Sequence, residues 1–341
     1  MIWAYRLTFA TPVHFGLEGI GQERIEPFVR SDTLWGSLVQ KILLLYDVEP
    51  EALCREASFV VSSCFPYIAK TFFFPVPAGA LDKIMDAMAH METNQLPFDL
   101  KDLKKIRFLS ETLFRKVLAG RELDLADFKD LKDSAVFFPP VGSVSKENSP
   151  SVLLKTTQRP RVAVDQVFGG VQEGAFFYCT DQFFNNTGGM FFLASFDDQR
   201  TRDRVEAALR LLGDSGLGAD RTVGRGCFSF TAAPFELDAQ TEPTAYVLLS
   251  LYHPSRDEIE RGILTAKQSA YSLVRRSGHA GSHVTQQFRR ADLWMLAEGS
   301  LLPFAPRGEI PLVLKRSSYI PHNVYRYGRA FCVPVASGGR Q

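Results

Sequence analysis

The sequence predicts an α+β protein: a ferredoxin-like βαββαβ unit interrupted by a helical insertion, then a smaller β-rich unit. Three observations carry that prediction. Apolar residues recur with the two-residue period of strands and the 3.6-residue period of helices, in the order strand, helix, strand, strand, helix, strand. At 341 residues the chain exceeds one typical core, so about two domains are expected. An acidic, proline-containing segment from Asp238 to Pro243 separates them, giving domains at 1–240 and 241–341.

Trp3 to Phe9 alternates as the first strand, and the loop after it, TPVHFGLEGIGQERIEPF, carries His14, Arg24 and Arg30. Ser31 and Asp32 suit an N-cap. Leu34, Leu38, Ile42 and Leu45 recur at helical spacing, widened by Trp35, Val39 and Tyr46, so Ser31 to Tyr46 is an amphipathic helix. SFVVSSCFPYI and TFFFPVP form a strand pair in which Pro66, Pro75 and Pro77 belong at edges or strand ends. From Leu81 to Lys132 the period is largely helical (Leu81, Ile84, Met85, Met88, then Leu103, Ile106, Leu113, Phe114, Val117), which marks an insertion at 81–132. The polar loop from Pro139 to Ser151 is expected to be mobile. RVAVD (Arg161 to Asp165) is a short strand entered from Arg159, and GAFFYCTDQFFNN and GGMFFLASF are strands joined by a turn from Asn185 to Gly189. Thr201 to Leu212 is a helix with Val205, Ala208, Leu209 and Leu212 on one face. The second unit begins with YVLLSLY at Tyr246. It continues through a helical piece near Asp257 to Ala266 and strands in SAYSLVRR and RRADLWMLAEGS, and closes with YRYGRAFCVPV.

Between the second helix and the last strand of the first unit lies GDSGLGADRTVGRGCFSF, from Gly213 to Phe230. Glycine tolerates positive φ and lets backbone N–H groups approach a ligand, and Arg221 and Arg225 put positive charge at the same place. That combination suits a phosphate chain; a tight helix-to-strand bend is the other use of such a loop. A P-loop needs Gly-Lys-Ser/Thr, and Arg221-Thr222 supplies no lysine. A dinucleotide fingerprint needs a strand before and a helix after, and here the order is inverted. RGCFSF faintly matches an RNA-recognition core, but Cys227 stands where an aromatic belongs.

Composition narrows the classes further. With 45% hydrophobic and 23% charged residues the chain is globular, and no apolar run approaches the ~20 residues of a membrane span. MIWAYRLTF has no signal-peptide pattern, so a cytoplasmic protein is expected. The five cysteines (Cys54, Cys64, Cys179, Cys227, Cys332) form no CxxC pair and are expected to be reduced core thiols. Net charge is +1, yet from Ser269 onward ten Lys or Arg face three acids, a net of +7 that leaves −6 for residues 1–268. Such clustering is the footprint of a polyanion. Arg275, Arg276, His279, His283, Arg289 and Arg290 group around a Gly-Ser turn, followed by Tyr325, Arg326, Tyr327 and Arg329. Cations on phosphates and aromatic faces under bases are what single-stranded RNA requires. His279 and His283 lack the helix and the third ligand that a metal site needs. No metal and no cofactor is expected.

SDTLWGSL at 31–38, RPRVAVD at 159–165, GLGADRTVGRGCFSF at 216–230 and YRYGRAF at 325–331 resemble the repeat-associated mysterious protein (RAMP) superfamily of CRISPR-Cas systems. More narrowly, they resemble the fourth Csm-type subunits of type III-A effector complexes, and the resemblance covers nearly the whole chain. It implies two ferredoxin-like, RRM-like domains in tandem. It also implies a non-catalytic subunit that holds the 5′ tag of CRISPR RNA and docks to the large polymerase-type subunit and to a backbone RAMP subunit. By position, Gly216, Gly218, Gly224 and Gly226, with Arg221 and Arg225, would approach the RNA backbone. His14, Arg30, Ser31, Arg159, Arg161, Arg275, Arg276, His279, Arg289, Tyr325 and Arg326 complete the expected RNA-binding set. One departure is Ala219-Asp220, where related loops often have a further glycine; Asp220 is expected to face away or to pair with Arg221. The competing enzyme reading is a metal-independent, repeat-cleaving endoribonuclease with His14 as base and Tyr5 or Arg30 nearby. A packing or RNA-stacking histidine beside Phe15 is the favoured alternative, and no catalytic residue is expected. A third reading is a scaffold that touches no RNA. The 28 phenylalanines and three tryptophans exceed what a lone surface needs, so some are expected at subunit interfaces.

Overall fold

The computed structural model describes residues 1–16, 26, 28–55, 58–90, 103–128, 135–137, 154–165, 167, 169–237, 242–280 and 288–336. Parts of the expected insertion, the loop from Pro139 to Ser151, most of the linker, Arg24 and His283 lie outside them. The first unit runs β1 (Ile2–Phe9), α1 (Ser31–Leu45), α2 (Pro50–Arg55), β2 (Phe59–Val61), β3 (Phe65–Ile68), β4 (Thr71–Pro75) and α3 (Asp82–Ala89). It continues with β5 (Ile106–Ser110), α4 (Glu111–Leu118), β6 (Ala135–Phe137), β7 (Leu154–Val164), β8 (Val171–Phe184), β9 (Gly188–Phe196), α5 (Gln199–Ser215) and β10 (Phe228–Phe235).

The main sheet has the order β10-β1-β9-β3-β4-β5-β6, with β2 also on β9, and every pairing is antiparallel. Alternation along the strands divides its side chains between two buried faces. Tyr5, Leu7 and Phe192 lie in one cluster with Leu34, Trp35, Leu38 and Ile42 of α1 and Val205, Leu209 and Leu212 of α5. Ala4, Phe191 and Leu193 lie in the other, with Phe74, Val247, Leu249 and Val333. One face is therefore roofed by helices and the other by the second unit. The Asp198 side chain caps α5 by accepting from Thr201 N at 2.7 Å.

Three expectations are corrected. The insertion is not purely helical: Ile106, counted in a helical stripe, begins β5, which extends the sheet between β4 and β6. The strands on either side of the Asn185 turn do not pair with each other; β8 pairs with β7 as a separate ribbon, while β9 enters the main sheet. Ser31 is the first residue of α1 rather than a side-chain cap, and its hydroxyl accepts from Leu251 N at 3.0 Å.

The second unit contains β11 (Pro243–Leu248), α6 (Arg256–Glu260), β12 (Leu273–Arg276), β13 (His279–Ala280), β14 (Phe288–Arg289), β15 (Leu293–Leu296), β16 (Leu301–Leu302), β17 (Leu312–Leu314), β18 (Val324–Tyr325) and β19 (Cys332–Ala336). Its sheet is β16-β11-β19, and β12-β15, β13-β14 and β17-β18 are short antiparallel pairs. YRYGRAF is strand only at its start, because Tyr327 leaves the second unit and enters the first core. Its ring stacks on Trp35 at 5.2 Å and its hydroxyl accepts from Val61 N at 3.0 Å. Among the described residues no helix is long and apolar enough to cross a membrane, and all five cysteines are free.

Tyr327→Phe keeps the packing but leaves the buried Val61 N–H without its acceptor. Urea unfolding is expected to show a loss of about 1–3 kcal/mol.

Candidate nucleic-acid interface

The glycine-rich loop closes on itself before it can meet any ligand. Leu217 N donates to Gly226 O (2.9 Å), Ala219 N to His14 O (2.8 Å) and Gly226 N to Pro12 O (2.8 Å). A Cβ on Gly226 would lie 2.1 Å from Leu217 O, and one on Gly218 2.6 Å from His14 O, so both glycines are required by this closure; Gly216, against Arg225 O, is held the same way. Gly224 differs. It has φ +78°, and a Cβ there would meet nothing within 4 Å. Arg221, Thr222 and Val223 form a single 3₁₀ turn before it, and these four residues are exposed.

Arg225 is corrected from ligand to strut. It is 6% exposed, 2.7 Å from Asp181 and paired with Asp220, and its Nη1 donates to Cys179 Sγ at 2.9 Å. Asp181 is 1% exposed, and Asp220 also accepts from Arg161 at 3.0 Å. Asp220 therefore pairs with Arg225 and Arg161, not with Arg221. Burial of carboxylates requires such partners. Arg159 is mostly exposed, 3.3 Å from Asp181. His14 lies under the loop at 2% exposure, with Nδ1 donating to Thr180 O at 2.7 Å. It is thus not presented to solvent. Tyr5 OH lies instead on Glu206 at 3.0 Å, and Arg30 stands elsewhere, so the His14, Tyr5 and Arg30 grouping is not assembled.

Lys41 of α1 is a residue that sequence reading missed. It is buried, and burial and the nearby Arg221 charge both lower its pKa. The signal was available: Lys41 follows Leu38 by three positions, on the apolar stripe itself. Arg221 gives the open rim at Gly224 an exposed positive charge, and Lys41 lies within electrostatic reach of it.

The remaining cations fall into two groups. Arg30, Ser31, Arg276 and Arg326 line a seam between the N-terminus of α1 and the second unit. Asp32 accepts from Arg276 at 3.0 Å and from Arg326 at 2.6 Å, and Arg30 reaches Glu26 at 2.8 Å and Glu298 at 2.6 Å. Arg326 is 4% exposed, and Ser31 is buried. These four are corrected as well: their side chains join the two units and do not face a strand of RNA. Burial alone would raise the Asp32 carboxyl, but Arg276 and Arg326 hold it at about 2. Arg275 and Arg289 lie at the surface on Asp292, at 3.0 and 3.1 Å; His279 is exposed and Tyr325 half-buried.

Residues 6–229 match the family profile described as the RAMP superfamily, and residues 241–335 match that of the CRISPR Csm4 C-terminal domain. The chain is 23% identical over 309 residues to the CRISPR system Cms protein Csm4 of Thermococcus onnurineus (strain NA1), covering 90% of this chain and 91% of that one. A protein of the same name from Mycobacterium tuberculosis (strain ATCC 25618 / H37Rv) is 33% identical over 123 residues, 35% of this chain and 39% of the relative. Among solved structures, a chain in the Csm1-Csm4 cassette in complex with pppApA matches with a TM-score of 0.59 at 19% identity, covering 98% of this chain and 97% of that one. A chain in the Csm3-Csm4 subcomplex of the type III-A CRISPR-Cas interference complex matches with a TM-score of 0.57 at 16% identity, covering 98% and 99%. At these identities the likeness is one of fold.

Arg225→Met leaves buried Asp181 without this guanidinium and half-buried Asp220 with Arg161 as its remaining ion-pair partner, and is expected to cost about 3–5 kcal/mol in urea unfolding. Arg221→Ala is expected to change stability by less than about 0.5 kcal/mol. Because the folded pKa of Asp32 is depressed, its stabilisation is present above about pH 4 and is lost as pH falls toward 2. Acid titration of unfolding should show a loss of about 2 kcal/mol in that window, absent in Asp32→Asn.

Proposed function

The chain belongs to the RAMP superfamily, and from that premise we propose that it is the non-catalytic RNA-binding subunit of a type III-A CRISPR ribonucleoprotein, holding the 5′ tag of crRNA and bridging the large polymerase-type subunit to a backbone RAMP subunit. It works in the cytoplasm and needs no cofactor. The observation that carries this reading is the open rim at Gly224, with exposed Arg221 beside it, on a loop whose frame is already fixed by Arg225. A phosphodiester backbone is a line of negative charges without bulky side groups, and an open glycine beside an exposed cation fits it.

Further support comes from the surfaces. Val162, Val164, Phe176, Phe177 and Tyr178 are exposed on the β7-β8 ribbon, an apolar area suited to contact with another subunit. The solved relatives occur in Csm1-Csm4 and Csm3-Csm4 assemblies, which are the partners this reading requires. The strand order β10-β1-β9-β3, with α1 and α5 on one face, supports a ferredoxin-like first domain, and we extend that reading to the second. The enclosure of His14, at 2% exposure, weighs against its acting as a base on a bound RNA.

Two measurements test the proposal. A complex isolated through this chain should contain short RNAs with a constant 5′ end, and Arg221→Ala should reduce the slope of log K against log salt for that single strand by about 0.7. Repeat RNA incubated with the purified chain in EDTA should remain intact; specific cleavage abolished by His14→Ala would establish the nuclease instead.

A further inference from the structure

The seam between α1 and the second unit gathers four guanidinium groups (Arg30, Arg276, Arg290, Arg326) and three carboxylates (Glu26, Asp32, Glu298). All three carboxylates are committed. Asp32 receives Arg276 on both oxygens at 3.0 Å and Arg326 at 2.6 Å. Glu298 receives Arg30 at 2.6 Å and the Ser63 hydroxyl. Glu26 receives Arg30 at 2.8 Å and Arg276 at 3.5 Å. Among the described residues, Arg290 is the cation of the seam without an ion pair of its own.

Its position makes that excess matter. Arg290 is half-buried, its Nε is enclosed without a hydrogen-bond partner, and the Nε of Arg326 is enclosed in the same way. Burial and the charges of Arg326 and Arg276 push the Arg290 guanidinium down to about 10, so it remains charged at neutral pH. Among the described residues Arg290 has only the shared charge of Asp32 opposite it, and a partly buried cation so poorly matched is destabilising. The backbone beside it lets the guanidinium lie close: Gly278, whose carbonyl receives Arg290 N at 2.9 Å, has no side chain, and a Cβ there would lie 2.8 Å from Arg290 Nη2.

We propose that Arg290 is the seat of a phosphate group, which hydrogen-bonds its guanidinium from the surface and neutralises the seam. A guanidinium fork matches phosphate oxygens bidentately, and desolvation strengthens the pairing. Exposed His279 and Arg289 lie opposite each other on the β13-β14 pair, next in the chain to Gly278 and Arg290 respectively. The assignment of that phosphate to the RNA backbone rests on the RNA-binding reading above; the seat itself does not.

The experiment uses the full chain and its Arg290→Gln and Arg290→Lys variants. Thermal unfolding is followed in inorganic phosphate and in chloride at equal ionic strength. Phosphate is expected to raise the wild-type Tm by a few degrees and to leave Arg290→Gln unmoved. In chloride, Arg290→Gln is expected to be at least as stable as wild type, because it removes a poorly matched, partly buried charge, and this also shows that it folds. Equal responses of wild type and Arg290→Gln to phosphate would mean an adventitious ion only and overturn the proposal, as would a variant less stable than wild type in chloride. Binding of a short single-stranded RNA then identifies the source. A loss of about tenfold in Arg290→Gln, largely restored in Arg290→Lys, supports an RNA phosphate. An unchanged RNA affinity beside an intact phosphate shift supports a seat for free phosphate. Failure of the wild type to bind RNA at all would defeat the RNA-binding reading, while the Tm comparison would still decide the seat.

Discussion

The buried pairing of Arg225 with Asp181 and Asp220 is the constraint on which the glycine-rich loop depends. It ties the loop to β8, whose other members at this point, Cys179 and Thr180, contact Arg225 and His14. With the base of the loop fixed, Gly218 and Gly226 can approach neighbouring carbonyls, and the 3₁₀ turn at Arg221 to Val223 is pushed outward. The same residue type thus does two jobs four positions apart. Arg225 faces inward and builds the frame; Arg221 faces outward and carries the charge a ligand would meet.

A second buried network performs the corresponding task between the two units. Asp32, at the start of α1, is held by Arg276 and Arg326 from the second unit, and Tyr327 places its ring on Trp35 of the same helix. Sequential burial of a carboxylate and an aromatic on one helix makes α1 common to both cores. Lys41, farther along that helix, lies within electrostatic reach of Arg221.

Local pattern made the fold legible where local pattern decides it. The spacing from Leu34 to Leu45 defines α1, that from Val205 to Leu212 defines α5, and glycine spacing locates the loop. Three features were not legible, for one physical reason. Whether an arginine is a strut or a ligand depends on carboxylates distant in sequence: Asp181 for Arg225, and Asp32, nearly three hundred positions away, for Arg326. A charge count of the last quarter registers the cations but not their pairing. Likewise Ile106 fits a helical stripe in sequence, but β4 and β6 beside it supply the hydrogen bonds that make it strand. Lys41 was legible, as a lysine on an apolar stripe, and had been overlooked among the leucines.

Amide hydrogen exchange across residues 213–230, with and without the 5′-tag RNA, tests the central claim most directly. The account predicts that Leu217 and Gly226, whose N–H groups are already bonded to Gly226 O and Pro12 O, exchange slowly in both states, while the amides of Arg221 and Thr222 at the rim slow on RNA binding. RNA that binds without changing exchange at the rim, or rim protection equally strong in free protein, would contradict it.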